Sequence, residues 1–422
     1  MRIALVHKRY DRLGGAEADC WELSHRLAAR GHEVHVVTGD CRVPVPEAVR
    51  LHRVPVVRAG QLAKLLSFAA LAPRVWRTLD ADAVIGFGRT VGHDLFRASG
   101  GCHRRYVERL AATGGLAGRV RRWRPYQLVL LALERRQYTP GAYREILTVS
   151  ARTRDEILAT YPQVPPGDVV VVRYGVDVTR FHPGRREREG AAVRRELAIA
   201  PEQPVVLCVG TGFRRKGVDQ LLAIWERDPP CGAALVVAGD DRQLASYRRR
   251  AAAARGRIVF TGPRADVERL YAAADLFTLP SMFDAFGMVV LEALASGLPV
   301  VAPRDIGAAE VLTGALAELV IDDPRDAGAL AARLRLGLEP GRRDALAAAA
   351  RAVAEEASLE RSVDAIERWC GVVAAERRGR SYDGGASPHG GSFGHESAVA
   401  ATGGGRSGDV AMRARAEASR AR

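Results

Sequence analysis

A chain of 422 residues with 47% hydrophobic side chains is too long for one ordinary domain and can bury two substantial cores. Its net charge of +14, carried almost wholly by arginine, points to an anionic partner; six scattered cysteines, with no C-x-x-C and no histidines at ligand spacing, argue for free thiols in a reducing compartment and against a zinc site. No apolar run approaches the ~20 residues of a membrane span, no leader precedes the first strand, and no RNP, KH or zinc-finger pattern accompanies the charge, so a cytoplasmic protein with no nucleic-acid partner is expected.

Arg2 to His7 reads as a strand, Lys8 to Glu17 as a loop carrying Gly14-Gly15, Ala16 to Arg30 as a helix closed by Gly31, and Glu33 to Thr38 as a second strand. The glycine pair then lies at the carboxyl end of the first strand of a βαβ unit, where open parallel sheets bind ligands; a plain tight turn would use the same residues. Asp80-Ala81-Asp82 matches the D-x-D of metal-dependent transferases but precedes the strand Ala83 to Phe87, so it reads as a turn, and no metal site is expected. From 104 onward, Arg104, Arg105, Arg109, Arg119, Arg121, Arg122 and Arg124 collect with Tyr106, Trp123 and Tyr126. That pattern suits peripheral contact with an anionic membrane at the inner face of the plasma membrane, or a solvated helix face. Glu145 to Val149 and Val169 to Arg173 are further strands, and the charged, glycine-flanked Gly184 to Gly190 reads as an interdomain linker.

A second unit begins with the strand Val205 to Val209, which runs into Gly210-Thr211-Gly212-Phe213-Arg214-Arg215-Lys216-Gly217. Strands Ala234 to Ala238, Ile258 to Thr261 (ending Gly262-Pro263-Arg264) and Leu276 to Pro280 follow. The alternation predicts an α/β protein of two doubly wound, Rossmann-like domains facing across a cleft, 1–183 and 184–355. A helix over 356–376 is expected to return to the first domain, and 377–422, without periodicity, to be a disordered tail.

The second unit carries the densest chemistry. Phe283-Asp284-Ala285-Phe286-Gly287 leads into an apolar helix, Met288 to Ser296, in which Glu292 is the single charge; a carboxylate there should be buried and needs a partner. The amides of Phe286, Gly287 and Met288 at the helix start offer an anion cradle. Gly210-x-Gly212 lacks the third glycine of a dinucleotide fingerprint, having Arg215 there; Arg215 and Lys216 could instead hold a pyrophosphate. Lysine occurs only at 8, 64 and 216, so its use at 216 suggests a preference for a compact ammonium.

Asp284-Ala-Phe-Gly-Met-Val-Val-Leu-Glu292 resembles the E-x7-E signature of the family 4 retaining glycosyltransferases, which have the GT-B fold. Gly210 to Asp219, Gly175-Val176-Asp177 and Lys8 through Gly14-Gly15 fit the same family, and the run Gly86-Phe87 to Asp94, in which six residues separate Phe87 from Asp94, is similar to a strand-end pattern of its lipopolysaccharide core glucosyltransferase I group; the likeness covers roughly 1–370. It implies a retaining, metal-independent enzyme with no cofactor, moving a hexose, glucose by this likeness, from a UDP-sugar to a glycan or glycolipid acceptor of the cell envelope. Glu292 would bind the nucleotide ribose, Asp284 the donor-sugar hydroxyls, and Arg215 and Lys216 the diphosphate. Gly14, Gly15, Gly212, Arg264, Phe286, Gly287 and Met288 would border the donor. This chain has Gly100-Gly101 where some relatives carry an acid, leaving Asp94 or His103 as the acceptor-side acid or base, and Asp284 replaces the signature's first glutamate, which bears on donor-sugar preference. The alternatives are an inactive sugar-nucleotide-binding or membrane-scaffold protein, and a sugar-nucleotide epimerase, which would need further cleft carboxylates and histidines.

Overall fold

The computed structural model describes residues 1–12, 14–113 and 123–379. Arg119, Arg121 and Arg122 of the basic cluster, and all but the first three residues of the expected tail 377–422, lie outside that range.

Two parallel sheets organise the molecule, and the expected α/β class of two Rossmann-like domains holds. The first contains β1 (Arg2–Val6), β2 (Glu33–Thr38), β3 (Val49–Arg53), β4 (Ala83–Gly86), β5 (Leu95–Ala98), β6 (Glu145–Thr148) and β7 (Val169–Val171), in the order β3-β2-β1-β4-β5-β6-β7. The second contains β8 (Val205–Val209), β9 (Ala234–Ala238), β10 (Ile258–Gly262), β11 (Leu276–Thr278), β12 (Val300–Pro303) and β13 (Val320–Ile321), in the order β10-β9-β8-β11-β12-β13. Strands such as β1 and β9 are continuous apolar runs because helices cover both faces of each sheet. The strand order reverses between β1 and β4 in one sheet and between β8 and β11 in the other. Such switch points open crevices at the carboxyl ends of their strands.

The chain crosses between domains twice at one place. Val176 bridges Ser358, with the Val176 amide donating to Ala357 O at 3.0 Å and the Leu359 amide to Val176 O at 2.9 Å. Gly175 permits this approach: a Cβ there would stand 2.4 Å from the Leu359 Cα. Gly184 to Gly190, expected to be a linker, is instead a helical segment of the second domain. Arg186 donates to Ala274 O at 2.5 Å and pairs with Asp275 at 2.6 Å, so charges that suggested a solvated linker are spent on an ion pair.

After the return crossing, the helix Leu359–Arg377 lays Val363, Ile366, Trp369, Cys370 and Val373 against Ile3, Leu23 and Leu27 of the first domain. Each fully buried side chain of this kind contributes about 1.5–3 kcal/mol. Its last residue explains a departure from expectation. Asp94 precedes β5 and therefore stands at the amino edge of the sheet, away from the cleft. Its carboxylate accepts from the Val84 amide at 2.8 Å and from Arg377 at 2.7 and 2.8 Å, with Arg144 at 3.3 Å. Asp94 is thus a structural anchor and not an acceptor-side base. Asp94→Ala, which leaves the Val84 amide without its acceptor and Arg377 without its carboxylate, is expected to lower unfolding free energy by about 1–3 kcal/mol in urea melts and to leave kcat of the folded fraction unchanged. A hundredfold loss of kcat at unaltered stability would restore the catalytic role. Asp82 of the D-x-D lies at the same amino edge, bonded to the Arg2 amide at 2.8 Å and paired with Arg378.

Candidate active site

At the second domain's switch point, two loops leave adjacent strands and are stitched together. The loop after β8 ends in a short helix, Phe213–Lys216, entered through Gly212 in the left-handed region at φ 74°. The loop after β11 ends at the helix Met288–Ala295, entered through Gly287 at φ 97° and capped by no side chain. The Met282 amide donates to Arg215 O at 2.8 Å, and the Arg215 guanidinium donates to Phe283 O at 3.1 Å. Lys216 Nζ meets Asp284 Oδ2 at 2.5 Å, with Arg215 at 3.5 Å from the same oxygen. Burial pushes the Asp284 carboxyl up, but the two cations and their hydrogen bonds outweigh it and hold the carboxyl below its ordinary value. Asp284 and the Arg-Lys pair, distant in sequence, therefore form one cluster beside an uncapped helix N-terminus.

Glu292 lies one helical stretch further in. Its partner is a hydroxyl: Tyr271 donates to Oε2 at 2.7 Å. Burial drives the Glu292 carboxyl above the usual range, opposed by that bond and by the charge of Arg180. Nothing in the local pattern around Tyr271, at the end of the helix Val267–Ala273, marks it; only the fold sets it against Glu292. Arg264 already has partners. Its guanidinium engages Asp266 at 2.7 and 2.8 Å and Glu196 at 2.5 Å, three of its five N–H donors, so it is held by carboxylates of its own domain.

The first domain closes on this loop. Ala285 O accepts from Ser150 Oγ at 3.3 Å and Thr153 Oγ1 at 3.2 Å, both in the first turn of the helix Ala151–Thr160 and its cap. Glu310 of the second domain accepts from the Ala151 and Arg152 amides of that same turn, at 3.1 and 2.7 Å. Phe286 is buried, its ring 5.4 Å from that of Tyr174, so only its backbone is placed to meet a ligand. Ser150, Thr153 and Glu310 escaped sequence reasoning, because a serine cap looks the same whether or not a second domain docks on it.

On the facing wall, Gly14, at φ 109°, caps the helix Gly15–Ala29 at the carboxyl end of β1, with open space at Gly15. Leu13 lies outside the described residues. His103 starts the helix His103–Thr113 beyond the carboxyl end of β5. Its Nε2 bonds Gln127 Oε1 at 2.7 Å, and its amide and that of Arg104 donate to Glu134 at 2.5 and 2.9 Å. Burial pulls its imidazole below the ordinary histidine value, so it stands neutral at pH 7. Gly101 beside it approaches Ala285, and the ring of Tyr106 lies 5.2 Å from that of Phe283. His103 therefore borders the cleft, in contrast to Asp94. Of the basic cluster, Arg104 and Arg105 pair with Glu108, Arg109 pairs with Glu156, and Trp123 is exposed. Among the described residues, no three His, Cys, Asp or Glu side chains gather as metal ligands, and no helix is long and apolar enough to cross a membrane.

Comparison with known proteins assigns both halves. The family described as "Glycosyltransferase Family 4" matches residues 13–180, and that described as "Glycosyl transferases group 1" matches 203–339. The chain belongs to the family 4 glycosyltransferases. It is 29% identical over 334 residues, 77% of this chain and 86% of the relative, to the lipopolysaccharide glucosyltransferase WaaG of Escherichia coli K12. The crystal structure of WaaG, described as a glycosyltransferase involved in lipopolysaccharide biosynthesis, superposes with a TM-score of 0.74 at 26% identity, covering 88% of this chain and 99% of that one. The HepE protein of Anabaena, solved with UDP-glucose, shares the fold at a TM-score of 0.63 and 17% identity, over 87% of this chain and 98% of that one. This glycosyltransferase thus has the GT-B architecture, with the Lys216–Asp284 cluster in its second domain.

Proposed function

We propose that the enzyme is a retaining, metal-independent hexosyltransferase that moves glucose from a UDP-sugar to a glycan or glycolipid acceptor of the cell envelope. The observation that carries this reading is the Lys216–Arg215–Asp284 cluster set against the uncapped start of the helix Met288–Ala295. An incoming diphosphate would take over the two cations and the helix amides, which favour negative charge. Asp284, released from them, would face the donor-sugar hydroxyls, and Glu292, with Tyr271 on one oxygen, would accept from the ribose through the other.

The diphosphate gains charge as the sugar departs, so cations and dipoles fixed at that point stabilise the transition state more than the ground state. Retention follows from attack on the same face, with a diphosphate oxygen taking the acceptor proton. Glucose and an envelope acceptor are supported by the likeness to WaaG, named a lipopolysaccharide glucosyltransferase. Cytoplasmic location, with peripheral membrane contact through 104–124, belongs to the same reading. The experiment is UDP release with a panel of UDP-sugars and an extracted glycolipid acceptor, with donor binding read as a rise in melting temperature. UDP-glucose is expected to stabilise the protein and turn over. Stabilisation without turnover of any donor would favour a binding protein, and another nucleotide sugar as the best donor would replace glucose.

A further inference from the structure

Each domain has one switch point, and at the second domain's the cations are paired with a carboxylate. The first domain's differs. β1 and β4 are neighbours, with Val6 in register with Gly86 and the Phe87 amide donating to Val6 O at 3.0 Å. Lys8 follows β1 and Arg89 follows β4, so two cations leave adjacent strands at the same, cleft-facing end. Of the chain's three lysines, Lys64 is paired with Asp40 and Lys216 with Asp284. Among the described residues neither Lys8 nor Arg89 is in an ion pair, in a molecule where most arginines are.

What surrounds these two groups is mostly more positive charge. Besides burial, Arg89, Arg9 and Lys64 all press the Lys8 ammonium below its ordinary value, against Glu17 alone. Arg9 also keeps a buried Nε with no partner. Arg89 also acts electrostatically on His7 at the end of β1 and on His103 and Glu134 beside the start of the helix His103–Thr113. Cations that outnumber the carboxylates beside them, here Glu17 on Arg9 and Lys8, are unfavourable at a crevice, and they raise the local concentration of anions.

Arg89 is moreover held in the left-handed region, at φ 69°, where a side chain is strained. The loop around it does not relax because it is fastened on every side. Thr90 Oγ1 bonds His93 Nε2 at 2.9 Å, Gln137 Nε2 donates to Thr90 O at 2.9 Å, and the Gly92 amide donates to Ala142 O at 3.1 Å. The His93 ring fills the space that any side chain at Gly86 would need. Strain that a buried network over-determines marks a position with a task.

We propose that Lys8 and Arg89 form an oxyanion site for a phosphate group on the acceptor, which makes the acceptor a phosphorylated glycan or glycolipid. This rests on the transferase reading above. A point ammonium beside a planar fork suits a tetrahedral oxyanion. The donor's own diphosphate already has Arg215, Lys216 and a helix N-terminus in the other domain, so the first domain's cations serve the other substrate.

The test uses the full chain saturated with UDP, titrated calorimetrically with mannose 6-phosphate and, separately, with phosphatidylcholine vesicles containing phosphatidylglycerol. The variants are Lys8→Ala and Arg89→Asn, the latter because asparagine tolerates the left-handed backbone. Mannose 6-phosphate is expected to bind, with affinity falling at least tenfold in each variant while UDP affinity holds. The same loss seen only with vesicles supports the site and makes a lipid headgroup the phosphate's source. No binding of either probe to the wild type, or unchanged affinity in both variants, overturns it. A drop in UDP affinity with probe affinity unchanged also overturns it, assigning the cations to the donor. The probe titrations are repeated without UDP, so a failure of UDP to bind the wild type would count against the transferase reading and leave the phosphate result standing by itself.

Discussion

Lys216→Ala is expected to lower kcat/KM for the UDP-sugar by about 10²–10³-fold, the loss that follows removal of one preorganised group from a developing negative charge. Most of the loss should fall on kcat, because the ammonium stabilises the departing diphosphate more than the bound donor. The variant also strands a largely buried carboxylate: Lys216 is 2.5 Å from Asp284, and Arg215, at 3.5 Å, compensates only in part. Removing one partner of such a pair costs about 3–5 kcal/mol, with the lower end expected here. Asp284→Asn with Lys216→Ala in one chain separates the two effects. The double variant should regain most of the melting temperature and none of the kcat. Full activity in Lys216→Ala would refute the assigned role, and a fall in kcat that recovers together with stability in the double variant would reduce the lysine to a structural part.

Glu292→Gln is expected to weaken UDP binding by about tenfold to a hundredfold, since the amide keeps a bond to Tyr271 while losing the charged acceptor; bonds to a charged group are worth about 1.5–3 kcal/mol. Its pH dependence carries the sharper signature. Burial sets the Glu292 carboxyl above the usual range, so the group is more readily protonated folded than unfolded. The stability linked to it is therefore fully present below the unfolded value and lost as pH rises through the higher folded value. Above that folded value the ionised carboxylate costs stability, and Glu292→Gln should raise the melting temperature there while weakening UDP. In the wild type, UDP affinity should fall as pH drops through the raised Glu292 value, above the range of an ordinary glutamate; in Glu292→Gln that dependence should vanish. Isothermal titration with UDP from neutral to mildly acidic pH reads both. Equal UDP affinity in wild type and variant at neutral pH would remove Glu292 from the nucleotide site.

Both experiments concern residues that stand out in the amino-acid sequence for local reasons. Glu292 is the one charge in an apolar helix, Gly287 and Gly212 sit where a helix must be entered with positive φ, and Lys216 is one of three lysines in an arginine-rich chain. Helix and strand periodicity, caps and turn chemistry act over a few residues. The sequence by itself therefore determined the alternation of strands and helices, the two-domain α/β class, and the loops that follow β8 and β11.

Tertiary structure alone decided what those groups touch. Sheet order makes β8 and β11 neighbours and so joins Lys216 to Asp284, and the packing of the helix Val267–Ala273 supplies Tyr271 to Glu292. The return of the helix Leu359–Arg377 claims Asp94, a residue that the family resemblance had left, with His103, as an acceptor-side candidate. Arg264 has partners of the same kind, since Glu196 reaches it from another element. An ion pair between residues far apart in the chain leaves no local periodicity, because its energy depends on a distance that only the completed fold establishes.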